Sequence, residues 1–180
     1  MALSGANLAD LYPLLGVALP DTPPYTLDGR FGRDANTWTY RDFTGEVGDS
    51  DLAGEVTFTA GGERPHFSAD LMSEMLDFDD LAGLVGAAPD TGPGDTTNPE
   101  LQARAEQRAA SGRVLPDTPY ELDKLRAMDA NVRLRATRIE SPVLPLDNMD
   151  ARLNLEDGLL TLQPLAFGMA GGRIDSGIHM

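Results

Sequence analysis

The sequence predicts a mainly β protein, built as a curved antiparallel sheet of about eight strands with one or two short helices. Apolar and polar residues alternate over separate stretches in both halves of the chain, which is the pattern of half-buried strands. The breaks between the first stretches are short and rich in Gly, Asp, Asn and Ser, which form hairpin turns. Hairpins join antiparallel strands, so we expect neighbouring strands to pair antiparallel.

Composition limits the possible partners. The chain has 180 residues and a formal net charge of −15, so its overall field repels nucleic acid and anionic membrane surfaces. It has no cysteine, which excludes disulfides, thiolate metal sites and thiol catalysis. No stretch approaches the roughly 18–20 apolar residues of a membrane-spanning helix. We therefore expect no nucleic-acid partner and no membrane anchor within this chain.

The first predicted unit covers residues 1–86 and contains four strands. Turn-forming breaks at 32–36, 45–51 and 60–64 separate these strands. Apolar residues at alternate positions predict one inward face. Its members in this unit are Tyr25, Leu27, Trp38, Tyr40, Leu52, Val56, Phe58, Phe67 and Leu71.

Helical signals mark the end of this first unit. Leu76, Leu81, Leu84 and Val85 recur at helical spacing, which predicts a short amphipathic helix over 76–85. Residues 87–119 are rich in Pro, Gly, Asp and Thr and are predicted to be a flexible linker. Within the linker, Asn-Pro at 98–99 predicts the start of a solvated helix over 99–110.

A second predicted β unit covers residues 120–180. Its alternating apolar residues extend the same face. They are Val132, Leu134, Leu153, Leu155, Leu160 and Leu162. The motif Leu-Pro-Asp-Thr-Pro occurs at 19–23 and again at 115–119, each time before a block of strands, which favours two related sheet units. The last strand reaches the C-terminus, so we expect this unit to be truncated and the chain to be a fragment of a longer protein.

Clustered polar residues do not predict catalysis or a metal site. Acidic residues at 49–51 and 77–80 lack the spacing of a calcium loop, and a turn and a helix start explain them better. His66 and His179 are the two histidines; His66 follows Pro65 at a predicted strand start and His179 lies at the end of the sequence, so neither predicts a catalytic triad. We expect no catalytic residue, no cofactor and no metal, and therefore not an enzyme.

The apolar face has several possible uses. It can pack against a second layer as an ordinary core, or stay open as a groove for an apolar ligand. Trp38 and Tyr40 at alternate strand positions could instead stack on a sugar, as in a carbohydrate-binding β module. A scaffold or regulatory domain without a ligand is a further alternative.

Several segments resemble one known family. They are the run from Ala6 to Pro20 that continues to Tyr25, Gly-Asp-Ser-Asp-Leu-Ala-Gly at 48–54, Leu-Asp-Phe-Asp-Asp-Leu at 76–81, the segment 122–135 around Arg-Ala-Met-Asp-Ala at 126–130, and Leu-Pro-Leu-Asp at 144–147 with Phe-Gly-Met-Ala-Gly-Gly at 167–172. Together they resemble the C-terminal region of the AsmA-like proteins of Gram-negative bacteria, whose relatives include TamB and the bridge-like lipid transfer proteins. The resemblance covers most of the chain outside 87–112.

The resemblance implies a location and a role. Family members are anchored in the inner membrane by an N-terminal helix, which this chain lacks, and project a β-rich region into the periplasm. It implies a taco-like groove that carries phospholipid acyl chains between the inner and outer membranes during outer-membrane biogenesis. The alternative within this family is a scaffold or regulatory domain that affects outer-membrane protein assembly. The family has no established catalytic residues, so none are transferred to this chain.

Overall fold

Alternating apolar residues build one sheet whose strands follow the order of the chain. The computed structural model describes residues 1–11, 13, 19, 21–61, 63–77, 80, 99, 103, 128–141 and 146–179. In these residues nine strands form a single open, curved sheet in the order β1 to β9. The strands are β1 (Ala2–Gly5), β2 (Tyr25–Asp34), β3 (Thr37–Val47), β4 (Ser50–Thr59), β5 (His66–Asp77), β6 (Asp129–Glu140), β7 (Leu146–Glu156), β8 (Leu159–Met169) and β9 (Gly172–His179). A short 3-10 helix, Leu8–Leu11, follows β1.

The predicted fold class, a mainly β protein with a curved sheet, is confirmed. The sheet has one strand more than the eight that alternation predicts, because β1 has only four residues and carries too short a pattern. It pairs with the start of β2, from Ala2 opposite Asp28 to Gly5 opposite Tyr25.

The prediction that all neighbouring strands pair antiparallel is wrong at one place. β5 and β6 pair in parallel, from His66 opposite Asp129 to Asp77 opposite Glu140. A parallel pair needs a crossover connection of a dozen residues or more, and the long stretch of chain between β5 and β6 supplies it. This pairing joins the strands of the two predicted units into one sheet.

The predicted helix over 76–85 starts at the wrong place. Leu76 and Asp77 are the last residues of β5, and Leu76 is buried opposite Ile139 of β6. Burial against β6 outweighs the helical spacing of the leucines that follow. Residues 78–79 and 81–85 lie outside the described residues, as does most of the predicted linker over 87–119 and its helix over 99–110. Those predictions stay untested.

A bulge in β3 keeps two aromatic residues on one side of the sheet. The register between β3 and β4 shifts between Tyr40 and Phe43, and Asp42 has a φ of 48°. Aspartate tolerates this left-handed conformation better than most residues. The extra residue places Tyr40 and Phe43 on the same face, where their rings stack with centroids 5.2 Å apart.

Candidate functional site

The candidate site is the apolar face, which we define as the side of the sheet that carries Trp38. Directly opposite residues on neighbouring strands point to the same side of a sheet. Trp38 lies opposite Phe58, and Phe58 lies opposite Phe67. Across the parallel pair, Leu71 lies opposite Leu134. The register therefore carries one face from β3 across to β6.

The same register places all fifteen sequence-predicted residues on the apolar face. They are Tyr25, Leu27, Trp38, Tyr40, Leu52, Val56, Phe58, Phe67, Leu71, Val132, Leu134, Leu153, Leu155, Leu160 and Leu162. Their shared face follows from strand pairing, whereas their role in binding a ligand stays a prediction.

Burial along this face is partial. Tyr25, Leu27, Phe58, Leu134 and Leu155 are buried, and the other ten residues are half-buried. A fully covered sheet face would bury most of its large apolar side chains. The half-buried residues retain apolar surface that a ligand can cover.

Sequence alternation missed several members of the apolar face. Phe43 and Val47 are buried at 2% and 7% exposure and pack with Tyr25 and Leu27. They were missed because the bulge at Asp42 breaks the period of two. The fifteen candidates also leave out Ala69, Ala136 and Met149, which the alternation itself places on this face, and Ala130.

The two aromatic residues considered for sugar binding pack against other rings. Trp38 stacks on Phe58 with centroids 5.4 Å apart, and Tyr40 stacks on Phe43. The Tyr40 hydroxyl lies 2.9 Å from the Met1 carbonyl oxygen, to which it donates a hydrogen bond. Burial, with the nearby charge of Asp28, raises the pKa of Tyr40 above its ordinary value. These contacts favour a packing role over a free stacking platform.

One acidic cluster ties the turn between β3 and β4 to the end of β5. The Asp80 carboxylate accepts hydrogen bonds from the Ser50 hydroxyl at 2.6 Å and from the amides of Asp49 and Ser50 at 3.0 Å each. The Ser50 hydroxyl in turn accepts a hydrogen bond from the Asp77 amide at 2.9 Å. Gly48, in the turn, has a φ of 64° and leaves the space that Asp80 occupies. We call Ser50, Asp77 and Asp80 the turn clamp.

Asp51 makes a second set of contacts beside the turn clamp. Its carboxylate accepts hydrogen bonds from the Ser73 hydroxyl at 3.0 Å and from the amides of Glu74 and Met75 at 3.0 and 2.6 Å. Burial opposes ionisation, but these donors outweigh it and lower the pKa of Asp51. The carboxylates of Asp51 and Asp80, one in each acidic segment, thus accept hydrogen bonds from groups of the protein itself. Among the described residues, no group of three His, Asp or Glu side chains is arranged to bind a metal ion.

Asp80 titrates differently from Asp51. Burial, with the nearby negative charge of Asp77, raises the pKa of Asp80 to about 6, although the hydrogen bonds from Ser50 and the Asp49 amide oppose this shift. Asp80 therefore binds its proton up to about pH 6, where an ordinary aspartate is already ionised.

The side of the sheet opposite the apolar face carries charged side chains, and we call it the charged face. Arg135 pairs with Asp70 at 2.6 Å, and Arg133 holds both oxygens of Asp150 through contacts of 3.2 and 2.9 Å. These hydrogen bonds lower the pKa of Asp150. The sheet therefore presents an apolar side and a solvated side, which suits a surface that holds a nonpolar ligand in water.

Among the described residues, neither histidine is hydrogen-bonded to a hydroxyl or to a carboxylate. His66 contacts the Asn131 amide at 2.9 Å, and His179 is exposed on β9. An amide partner cannot act as the orienting carboxylate of a triad. Within the part of the chain that the structure describes, the geometry brings no catalytic triad together at either histidine.

Comparison with known proteins identifies relatives over the whole sheet. The model of the AsmA family matches residues 2–180. The AsmA family protein YhjG of Escherichia coli strain K12 is 39% identical over 186 aligned residues, which cover 100% of this chain and 27% of that protein. No solved structure matches. No helix in the described residues has the length and apolar character needed to cross a membrane.

Proposed function

Because the chain belongs to the AsmA family, a family of bacterial envelope proteins, we propose that it carries phospholipid acyl chains along its apolar face. It acts as a periplasmic segment of a longer, inner-membrane-anchored protein of a Gram-negative bacterium. In this role it moves lipid between the inner and outer membranes and serves outer-membrane biogenesis. The mechanism is passive and uses no catalytic residue and no cofactor.

The continuous apolar face is the observation that carries this proposal. It runs across the sheet from Tyr25 on β2 to Leu162 on β8, and most of its residues are half-buried. An acyl chain laid on such a surface removes its methylenes from water, which contributes about 0.8 kcal/mol for each buried methylene. Even partial burial of one chain therefore supports reversible binding.

The charged face supports the same role. Ion pairs of Arg133 and Arg135 keep the reverse side of the sheet polar, so the sheet can stay in water while its other side holds lipid. Acyl chains have no polar groups to recognise, so a row of alternating apolar side chains suffices and no single residue is essential. The chain spans 27% of the length of its E. coli relative, so transport across the whole periplasm belongs to the longer protein.

A charge on the apolar face tests the proposal. Val56 is half-buried and lies opposite Tyr40 and Ala69, in the middle of the apolar face. Thr57 is its neighbour on the charged face of the same strand, so Thr57→Asp is a matched control. The chain and both variants are purified from a Gram-negative host and analysed by native mass spectrometry with lipid extraction.

We expect bound phospholipid in the unmodified chain and in Thr57→Asp, and its loss in Val56→Asp. An acyl chain packed on the apolar face would remove water from the new carboxylate, and burying an unpaired charge is unfavourable. Far-UV circular dichroism verifies that each variant is folded. A folded, lipid-free unmodified chain would overturn the proposal and favour a scaffold or regulatory domain. Equal lipid retention by both variants would also overturn it.

A further inference from the structure

The outer part of the β2–β3 hairpin is unusually basic for this chain. We define the hairpin tip as residues 30–41. It holds Arg30, Arg33 and Arg41, three of the fourteen basic residues of a chain whose net charge is −15. Asp34 is the one acid within the tip, and Asp42 follows directly after it. The hairpin tip is therefore a local positive region on an acidic protein.

Two of these arginines keep their charge available. Arg30 forms an ion pair with Asp42. Arg33 and Arg41 form no ion pair with any of the residues described here, and both are exposed. The Arg33 guanidinium donates one hydrogen bond, from Nε to the Ala35 carbonyl oxygen at 3.3 Å. Its terminal nitrogens are thus free to bind an anion.

Arg33 lies on the apolar face and Arg41 lies on the other. Arg33 is opposite Trp38 in the β2–β3 register, and its guanidinium carbon sits 5.0 Å from the centre of the indole ring. Arg41 is opposite Arg30, on the charged face. Arg33 therefore places a cation at the end of the apolar face, beside the stacked rings of Trp38 and Phe58.

This end of the apolar face is accessible from the side. β1 pairs with β2 only as far as Asp28, and the Gly29 amide donates to the Met1 carbonyl oxygen. Beyond Gly29, no described strand covers the outer edge of β2. Phe31, next to this edge and opposite Tyr40, is 52% exposed. A headgroup can reach Arg33 here while its acyl chain lies on the apolar face.

We propose that Arg33 binds the phosphodiester of a phospholipid whose acyl chain lies across Trp38 and the exposed ring of Phe31. This inference rests on the proposed function and assigns the lipid headgroup to one end of the apolar face. A guanidinium binds phosphate oxygens through two parallel hydrogen bonds, and its stacking on Trp38 holds it in place. The aromatic residues beside it suit the boundary between acyl chain and headgroup.

The test uses the fluorescence of Trp38, the one tryptophan of the chain. The chain is titrated with water-soluble dihexanoylphosphatidylglycerol, with dihexanoylglycerol, which has the same acyl chains and no phosphate, and with inorganic phosphate. Arg33→Gln removes the proposed ligand. Arg41→Gln removes the same charge from the same hairpin tip on the opposite face, and is the matched control.

We expect the phosphatidylglycerol to bind about tenfold more tightly than the diacylglycerol, because a charge-assisted hydrogen bond is lost with the phosphate. Arg33→Gln abolishes this difference and leaves diacylglycerol binding unchanged. Arg41→Gln changes the binding of both lipids by less than about twofold.

Three results would overturn the inference without testing the proposed function. Equal binding of the two lipids to the unmodified chain would leave the proposed function standing and remove the headgroup site. Equal weakening of phosphatidylglycerol binding by Arg33→Gln and Arg41→Gln would show a diffuse charge effect. Inorganic phosphate binding as tightly as the phospholipid would show an anion site independent of lipid. Binding of neither lipid would instead overturn the proposed function, and this inference with it.

Discussion

The hydroxyl of Ser50 donates a hydrogen bond of 2.6 Å to the carboxylate of Asp80. The same hydroxyl accepts a hydrogen bond from the Asp77 amide, so one side chain joins the start of β4 to the end of β5. Ser50 is buried, at 3% exposure, and is thus shielded from competing water. The turn clamp fixes the end of the sheet at which the chain leaves β5.

Replacing Ser50 tests the turn clamp. Ser50→Ala leaves the Asp77 amide without its acceptor and takes one donor from the Asp80 carboxylate, so we expect the free energy of unfolding to fall by about 1–3 kcal/mol. Urea unfolding followed by circular dichroism measures this change. Ser176→Ala, on the exposed strand β9, is the control and is expected to change stability by less than about 0.5 kcal/mol. Equal stability of both variants would contradict the role of the clamp.

The pKa of Asp80 predicts a pH dependence of stability. Its folded pKa of about 6 lies above the unperturbed 3.8, so the folded state binds its proton more tightly than the unfolded state. The contribution of Asp80 is thus fully present below pH 3.8 and is lost as pH rises through about 6. Asp80→Asn cannot titrate and should lack this loss.

Urea midpoints of the unmodified chain and of Asp80→Asn, measured between pH 4 and pH 7, test the direction in which stability changes with pH. We expect the stability of the unmodified chain relative to Asp80→Asn to decrease as pH rises across this range. Comparison with the variant cancels the contributions of Asp51 and Asp150, whose lowered pKa values act in the opposite direction at acid pH. A relative stability that increases with pH would contradict the raised pKa.

Gly54 supplies a prediction about the sheet itself. It has a φ of 149°, and a Cβ at this position would overlap the carbonyl oxygen of Asp70 on β5. We expect Gly54→Ala to lower the free energy of unfolding by about 3 kcal/mol, because backbone strain and steric overlap add.

Gly171→Ala separates the two causes. Gly171 also has a positive φ, 78°, but a Cβ there meets no atom within 4 Å. Thermal or urea unfolding should show a loss of about 1 kcal/mol for Gly171→Ala, from strain alone. Similar losses for both variants would mean that β4 and β5 separate easily at Gly54.

The alternation of apolar residues was sufficient to predict most strands and most members of the apolar face. This worked because a sheet with one apolar side imposes a period of two, as in Tyr25 and Leu27 or Leu153 and Leu155. Alternation carries no information about strand direction, so the parallel pairing of β5 with β6 was not predictable from it. Direction depends on the path of the connection between the strands.

Local irregularities of the sheet were also not predictable from the sequence. The bulge at Asp42 returns Phe43 to the apolar face, although a strict period of two from Tyr40 places it on the other side. Leu76 carries a helical spacing with later leucines but is buried in β5 by contacts to β6. In both cases tertiary pairing overrides a local pattern.

The acidic clusters show the same limit for the candidate site. Sequence assigned a turn to 49–51, and a turn of Gly48 and Asp49 does join β3 and β4. It could not assign Asp80 as the partner of Ser50, because the contact spans thirty positions along the chain. Arg33 was likewise not singled out, since its importance depends on which strand face it shares with Trp38.

Photo-crosslinking in cells tests the central claim most directly. A photoreactive amino acid is placed at Val56, on the apolar face, or at Thr57, on the charged face of the same strand, in the full-length protein carrying this segment. After irradiation of cells with radiolabelled lipid, we expect phospholipid adducts at position 56 and none at position 57. Equal labelling at both positions, or no labelling at 56 in a folded protein, would contradict it.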